Sequence, residues 1–327
     1  MTKKITCPTL VAVLFALCLS AEAQQPKKIP RIGFLSPGSS ATSGDRTEAF
    51  LRGLKELGYV EGKNFIIEHR YAEEKLDRFV ELARELVRLK VDVIFVTSIA
   101  ATAAVKKATQ TIPIVTVSGD PVGTGVVAGL PQPGGNITGL SNFDVELVGK
   151  RLELLKETVP RLSRLAVLWT PGIPGSDLKL KEIEVAAQSL NLRFHVAEVR
   201  GPDDLEPAFF SMKKEHSEAL TILRSPIIVN DLTKRIVDLA AKGRLPAMYD
   251  DRRFPLFGGL MSYGINRADL DRRAAMFVDK ILQGMKPADL PIEQPTKFEL
   301  VINLKTAKQL GITIPFEVIR WADEVIK

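Results

Sequence analysis

The sequence predicts an α/β protein made of two doubly wound parallel-sheet lobes. Two observations carry this. Short β-branched runs alternate with amphipathic segments from Arg31 onward, and the alternation restarts once, after a glycine-rich stretch at 119–139. The 327 residues, 45% apolar and 26% charged, have ordinary globular composition and enough length for two medium domains.

Residues 1–23 stand apart from that alternation. Lys3 and Lys4 precede the apolar run Leu10 to Leu19, and Ala21-Glu22-Ala23 follows as a small-x-small cleavage site. This is the pattern of a secretory leader cleaved after Ala23. The run is about half of the roughly 20 residues that cross a bilayer core, so the mature protein is expected to be soluble and periplasmic. A lipid anchor would need a small residue before a cysteine at the end of the run, whereas Cys18 follows Leu17 inside it. Free release is therefore expected, with anchoring through Cys18 the alternative. Cys7 and Cys18 are the only cysteines, so the mature chain has neither disulfides nor thiolate metal sites.

In the first series, strands are expected at 31–36, 64–69, 91–96 and 114–117, each nearly continuous in apolar character, as strands buried on both faces are. Helices separate them. Phe50, Leu51, Leu54 and Leu57 mark one over 47–57 that stops at Gly58, and Phe79, Leu82, Leu86 and Leu89 mark another over 76–89. An alanine-rich helix spans Ile99 to Ala108. The second series runs helix 145–158, strand 164–169, helix 178–190, strand 193–198, helix 203–214, strand 219–223, helix 231–242 and strand 246–248. A third block, 258–264 followed by a helix at 268–283, returns to the same style. Then Lys286 to Pro295 reads as an extended linker, and a strand at 298–303 with a helix at 304–310 follows.

The glycine-rich stretch is not a phosphate cradle. Gly123, Gly125 and Gly129 are spaced G-x-G-x-x-x-G, one residue too long for a dinucleotide fingerprint, and they follow the fourth strand rather than the first. Pro131 and Pro133 stop any helix soon after, and no Gly-Lys-Ser/Thr triplet is present. The reading is instead a strand-end turn at Asp120-Pro121, a short packed helix over 122–130, and a turn at 133–136 that launches a strand over 137–140. No cofactor is expected.

Three stretches carry a wider likeness: Phe50 to Asn64 (FLRGLKELGYVEGKN), Gly119-Asp-Pro-Val122 with Pro133-Gly-Gly-Asn-Ile-Thr-Gly139, and Gln294 to Ala307 (QPTKFELVINLKTA) running on to Gly311. Together they resemble a family of bacterial ABC-transporter substrate-binding proteins that includes tryptophan and aromatic amino-acid binders. The likeness extends from about residue 30 to the C-terminus. It departs at Ile314-Pro-Phe-Glu-Val318, where a second proline is expected after Pro315. The resemblance implies the type I periplasmic-binding-protein fold, with two lobes joined by three crossing segments. These are expected near 138–142, 257–260 and 287–295, so that 30–141 plus 259–286 form lobe 1 and 142–258 plus 287–327 form lobe 2.

In such sheets ligands meet the carboxyl ends of the strands. Ser36, Ser39 and Ser40 lie in the loop after the first strand, suited to a polar or anionic group or simply to capping the loop. Thr97 and Ser98 precede the alanine-rich helix, whose free amides favour a carboxylate, and Ser98 also suits a plain N-cap. Asp120 could pair with a ligand ammonium or cap its own turn. Trp169 with Thr170, Arg224 with Ser225, and Tyr249 with Asp250 close strands of the second lobe. Either aromatic could stack on a flat ligand or belong to the core. Arg224 could grip a carboxylate or neutralise Asp250 or Asp251.

The leader holds Lys3, Lys4 and Glu22, so the remainder keeps +5 of the formal +6. Interspersed with acids over some 300 residues, that charge gives no nucleic-acid footprint. His69, His195 and His216 are scattered, so no catalytic triad or metal cluster is legible. Paired acids such as Glu73-Glu74 and Asp203-Asp204 suit helix starts. The expectation is a monomeric, non-enzymatic receptor that binds a small-molecule solute, an amino acid or small aromatic metabolite foremost, and partners an inner-membrane ABC permease. A ligand-sensing partner of a chemoreceptor or signalling protein, and an extracytoplasmic enzyme, are the alternatives.

Overall fold

The computed structural model describes residues 28–142, 144–225, 227–228 and 232–327; the leader and its cleavage site lie outside them. The strands are β1 (Arg31–Ser36), β2 (Ile66–Tyr71), β3 (Val93–Val96), β4 (Ile114–Ser118), β5 (Ile137–Ser141), β6 (Arg164–Trp169), β7 (Arg193–Glu198), β8 (Ala219–Ile222), β9 (Ala247–Tyr249), β10 (Met261–Ile265), β11 (Ile292–Glu293), β12 (Phe298–Asn303) and β13 (Glu324–Ile326). The helices of at least six residues are α1 (Gly44–Glu56), α2 (Phe79–Arg88), α3 (Ile99–Ala108), α4 (Leu147–Thr158), α5 (Ser176–Ser189), α6 (Leu205–Lys214), α7 (Thr233–Lys242), α8 (Arg267–Leu282), α9 (Leu304–Leu310) and α10 (Phe316–Trp321).

Two sheets form. The first has the order β11-β5-β4-β3-β1-β2 and is parallel throughout; the second has the order β13-β12-β10-β9-β8-β6-β7, with β12 antiparallel to β10. In each sheet the strand order reverses next to the first strand of its series, β1 or β6. Both reversals are switch points of the kind where ligands bind.

Each sheet is covered on both faces. Phe34, Phe50, Phe95 and Phe277 pack on one side of the first sheet, with the rings of Phe50 and Phe95 stacked 4.3 Å apart. Leu35, Leu86, Ile94 and Val105 pack on the other. Each such side chain contributes roughly 1.5–3 kcal/mol by leaving water. Helix α8 follows a strand of the second sheet, yet it packs on α1. The contact depends on Gly53, where a Cβ would sit 2.2 Å from the Arg272 carbonyl oxygen. Arg46 of α1 then clasps Asp271 of α8 with two hydrogen bonds of 2.7 Å.

These pairings correct the sequence-based division. Met261–Ile265 belongs to the second sheet, because β10 pairs with β9 and β12. Ile292–Glu293, read as linker, belongs to the first, because β11 pairs with β5. The chain therefore crosses after β5, at Asn266 between β10 and α8, and between β11 and β12. The expected helix over 122–130 is instead a series of turns. The Pro121 carbonyl accepts from both Val126 and Val127, and Gly125 reverses the chain at φ +71°. Helix α10 and strand β13 carry no strong sequence period and escaped the sequence reading.

Candidate ligand cleft

A cavity of about 280 Å³ lies between the two sheets, at the carboxyl ends of their strands. Its first-lobe wall is rich in hydroxyls. The Ser36 and Ser43 hydroxyls lie 2.8 Å apart, and Thr97 donates to Ser36 at 3.3 Å. Three O–H groups here make two mutual bonds, so one proton is left to donate toward an acceptor in the cavity. Ser43 sits at the N-cap of α1 but gives the helix no side-chain bond, which leaves first-turn amides free for an anion. Ser98 caps α3 by accepting from the Ala101 amide at 3.2 Å. Two helix N-termini thus face the same space.

Asp120 lies on the same wall. Its Oδ1 accepts from the Val122 and Gly123 amides at 3.1 and 2.8 Å, the capping role weighed from sequence. The residue still lines the cavity. Beyond it the lobes touch. A Cβ on Gly123 would lie 3.0 Å from Leu178 Cδ1, and one on Gly175 would lie 3.4 Å from Thr124 Cγ2.

The second-lobe wall and the floor are a network of charges. Arg224 Nη1 reaches Asp250 at 3.2 Å and Asp251 at 3.0 Å, so it neutralises both acids considered for it. Arg253 holds Asp251 from the other side at 3.0 Å. Arg267, at the start of α8, and Lys179, in α5, converge on Asp144 at 3.1 and 3.3 Å. Burial alone would raise the Asp144 carboxyl, but Lys179, Arg267, Arg151 and Arg224 outweigh it and hold that carboxyl far below the usual range. The same contest leaves Asp251 depressed, with Arg224 and Arg253 opposing burial. Burial, aided by the charge of Arg224, lowers Arg267 to about 10.

Of the residues expected from sequence, Ser36, Thr97, Ser98, Asp120, Arg224 and Ser225 line the cavity. Ser39 is bound to Thr42, and neither it nor the exposed Ser40 is in the lining. Thr170 is buried behind the wall with its hydroxyl 2.8 Å from that of Ser225, and Asp250 likewise backs Arg224 rather than facing the space. Both aromatics belong to the second lobe's core. Tyr249 is 1% exposed and stacked on Phe254 at 4.3 Å, while Trp169 packs among the partly buried residues of the opposite face. Neither ring lines this cavity.

Sequence reading missed Ser43, Arg46, Asp144, Lys179 and Arg267. Asp144 and Arg267 flank crossings, and Lys179 lies one turn into the helix after β6. Position relative to the crossings was the available signal, and misplacing the second crossing hid it. Among the described residues no helix is long and apolar enough to cross a membrane, and no group of His, Asp and Glu is arranged to hold a metal.

A family model described as ABC transporter substrate binding protein matches residues 40–326. A tyrosine-binding protein of Clostridioides difficile is 25% identical over 266 residues, covering 81% of this chain and 76% of that one. A conserved domain protein of Vibrio cholerae superposes with TM-score 0.86 at 27% identity, over 91% of this chain and all of the other. An ABC domain of Streptococcus pneumonia solved in complex with L-Trp superposes with TM-score 0.82 at 25% identity, over 90% and 100% of the respective chains.

Proposed function

The chain belongs to the ABC transporter substrate-binding protein family, and from that premise we propose that it is the extracytoplasmic receptor of an importer and takes a zwitterionic amino acid into the interlobe cleft. The observation that carries the ligand class is the first-lobe wall. The surplus hydroxyl proton of the Ser36–Ser43–Thr97 cluster and the amides opening α1 and α3 suit an α-carboxylate. Asp120, on the same wall, suits the ammonium.

The lobes close about the crossings, with 31–141 plus 267–293 as one body and 147–265 plus 298–327 as the other. The Gly123–Leu178 and Thr124–Gly175 contacts support a closed form whose joined surface is presented to the permease. The protein acts as a monomer, binds without chemical turnover, and is exported by its leader to the periplasm. The matches to a tyrosine-binding protein and an L-Trp complex support an amino acid over a sugar.

The test is native mass spectrometry of the purified protein, followed by thermal-shift measurement with the twenty amino acids. A co-purifying amino acid that raises the melting temperature is expected. A co-purifying sugar or nucleobase, with no shift from any amino acid, would overturn the ligand class.

A further inference from the structure

The cavity walls differ in charge. Around the floor and second-lobe wall, five cationic side chains, Arg151, Lys179, Arg224, Arg253 and Arg267, meet three carboxylates among the described residues, Asp144, Asp250 and Asp251. Each carboxylate is already shared, although Asp250 Oδ1 is buried with no hydrogen-bond partner among the described residues. Asp144 serves two cations, and Asp251 accepts from Arg224 and Arg253. The cations are not saturated. Among the described residues Arg224 hydrogen-bonds through Nη1 and Arg267 through Nη2, and none offers a hydrogen-bond acceptor to Arg267 Nε, which lies 3.9 Å from Asp251, or to Arg151 Nη2.

We infer that the solute carries a second anionic group, beyond its α-carboxylate, that seats against Arg224, Arg267 and Lys179: an acidic amino acid or a solute of the same charge pattern. The inference rests on the amino-acid reading of the cleft and adds what the far end of the ligand must be.

Three observations support it. Crowded, partly desolvated cations in a low-dielectric space gain from one more anion; burial, first among the causes, lowers the pKa of Lys179 and Arg267, whereas Asp250, Asp251 and Asp144 outweigh burial and raise that of Arg224. The neighbouring acid, Glu146, lies outside the cavity lining. Finally, among the described residues the lining offers Leu76, Ile99, Val145, Ile173 and Ile265 as its larger apolar groups and no aromatic ring. A carboxylate gains bidentate donors from the guanidinium groups of this wall.

The experiment is calorimetric titration of the mature protein with L-glutamate, L-aspartate, L-leucine, L-tyrosine and L-tryptophan. L-glutamate or L-aspartate should bind roughly tenfold or more tightly than the neutral three, as a charge-assisted pair is expected to give. Arg224→Gln, with an unchanged circular dichroism spectrum, should erase that preference while weak binding of neutral amino acids persists. If that variant misfolds, the wild-type ranking still decides. Binding of a neutral amino acid as tightly as the acidic ones overturns the second anionic group and leaves the amino-acid receptor standing. Binding of none of the five overturns the second anionic group, and the thermal-shift panel of twenty amino acids then decides the amino-acid reading.

Discussion

Asp144, on the first crossing, is paired with Arg267, at the mouth of the second, across 3.1 Å. The pair lies under the cavity and is almost sealed from solvent, with side chains 5% and 11% exposed. Any change in the angle between the lobes must carry this pair with it or break it. The hinge is therefore a charged joint.

Removing the acid strands two cations. Asp144→Asn leaves Arg267 and Lys179 without their shared carboxylate. Urea unfolding should show a loss on the order of 3–5 kcal/mol, as for a broken buried pair. A loss within experimental error would mean that the pair is solvated.

The same carboxylate sets an acid limit. The folded Asp144 and Asp251 titrate below their unfolded values, so their stabilisation is fully present above about pH 4 and is lost as pH falls through the folded values. Stability of the wild type should hold from pH 7 to 5 and decline below about 4. In Asp144→Asn that decline should be shallower, because one of the two groups no longer titrates. Parallel acid limbs would contradict the assignment.

Tyr249 separates cleft from core. Its ring is sealed against Phe254, so Tyr249→Phe should leave solute affinity unchanged, while Tyr249→Ala should cost about 3–5 kcal/mol of stability. Weakened binding by a well-folded Tyr249→Phe would return the ring to the site.

On the opposite wall, Ser43→Ala removes one hydroxyl of the cluster that faces the cavity. Titration with the co-purified solute should show roughly tenfold weaker binding with little change in melting temperature. Unaltered affinity would detach the hydroxyl cluster from the ligand.

Gly139 tests packing rather than binding. At φ +135° it places its missing Cβ 2.1 Å from the Thr116 carbonyl oxygen of the neighbouring strand. Gly139→Ala should destabilise the first lobe by roughly 2–4 kcal/mol, read as a lowered melting temperature.

Periodicity made the α/β alternation legible almost residue by residue. Strands at 31–36, 164–169, 193–198 and 298–303 and the helix Ile99–Ala108 stand where the sequence places them. Each has a continuous apolar run or a helical stripe with a clear stop. Sheet membership was not legible. Met261–Ile265 has the same apolar character whichever sheet receives it, and two-residue β11 has no period at all. The site was half legible. Hydroxyls at strand ends announce themselves, because β1 and β3 point there. Arg267 and Lys179 are ordinary helix residues until the fold turns them onto Asp144. Trp169 and Tyr249 lie outside the lining, and a strand-end ring faces the cleft or the core according to pleat, which composition does not reveal.

Closure of two lobes on a bridging solute is tested most directly by small-angle X-ray scattering of the mature protein, with and without the amino acid that co-purifies. The bound profile should fit the structure in which Gly123 meets Leu178, and the free profile should show a larger radius of gyration. Superimposable profiles at saturating amino acid would contradict closure.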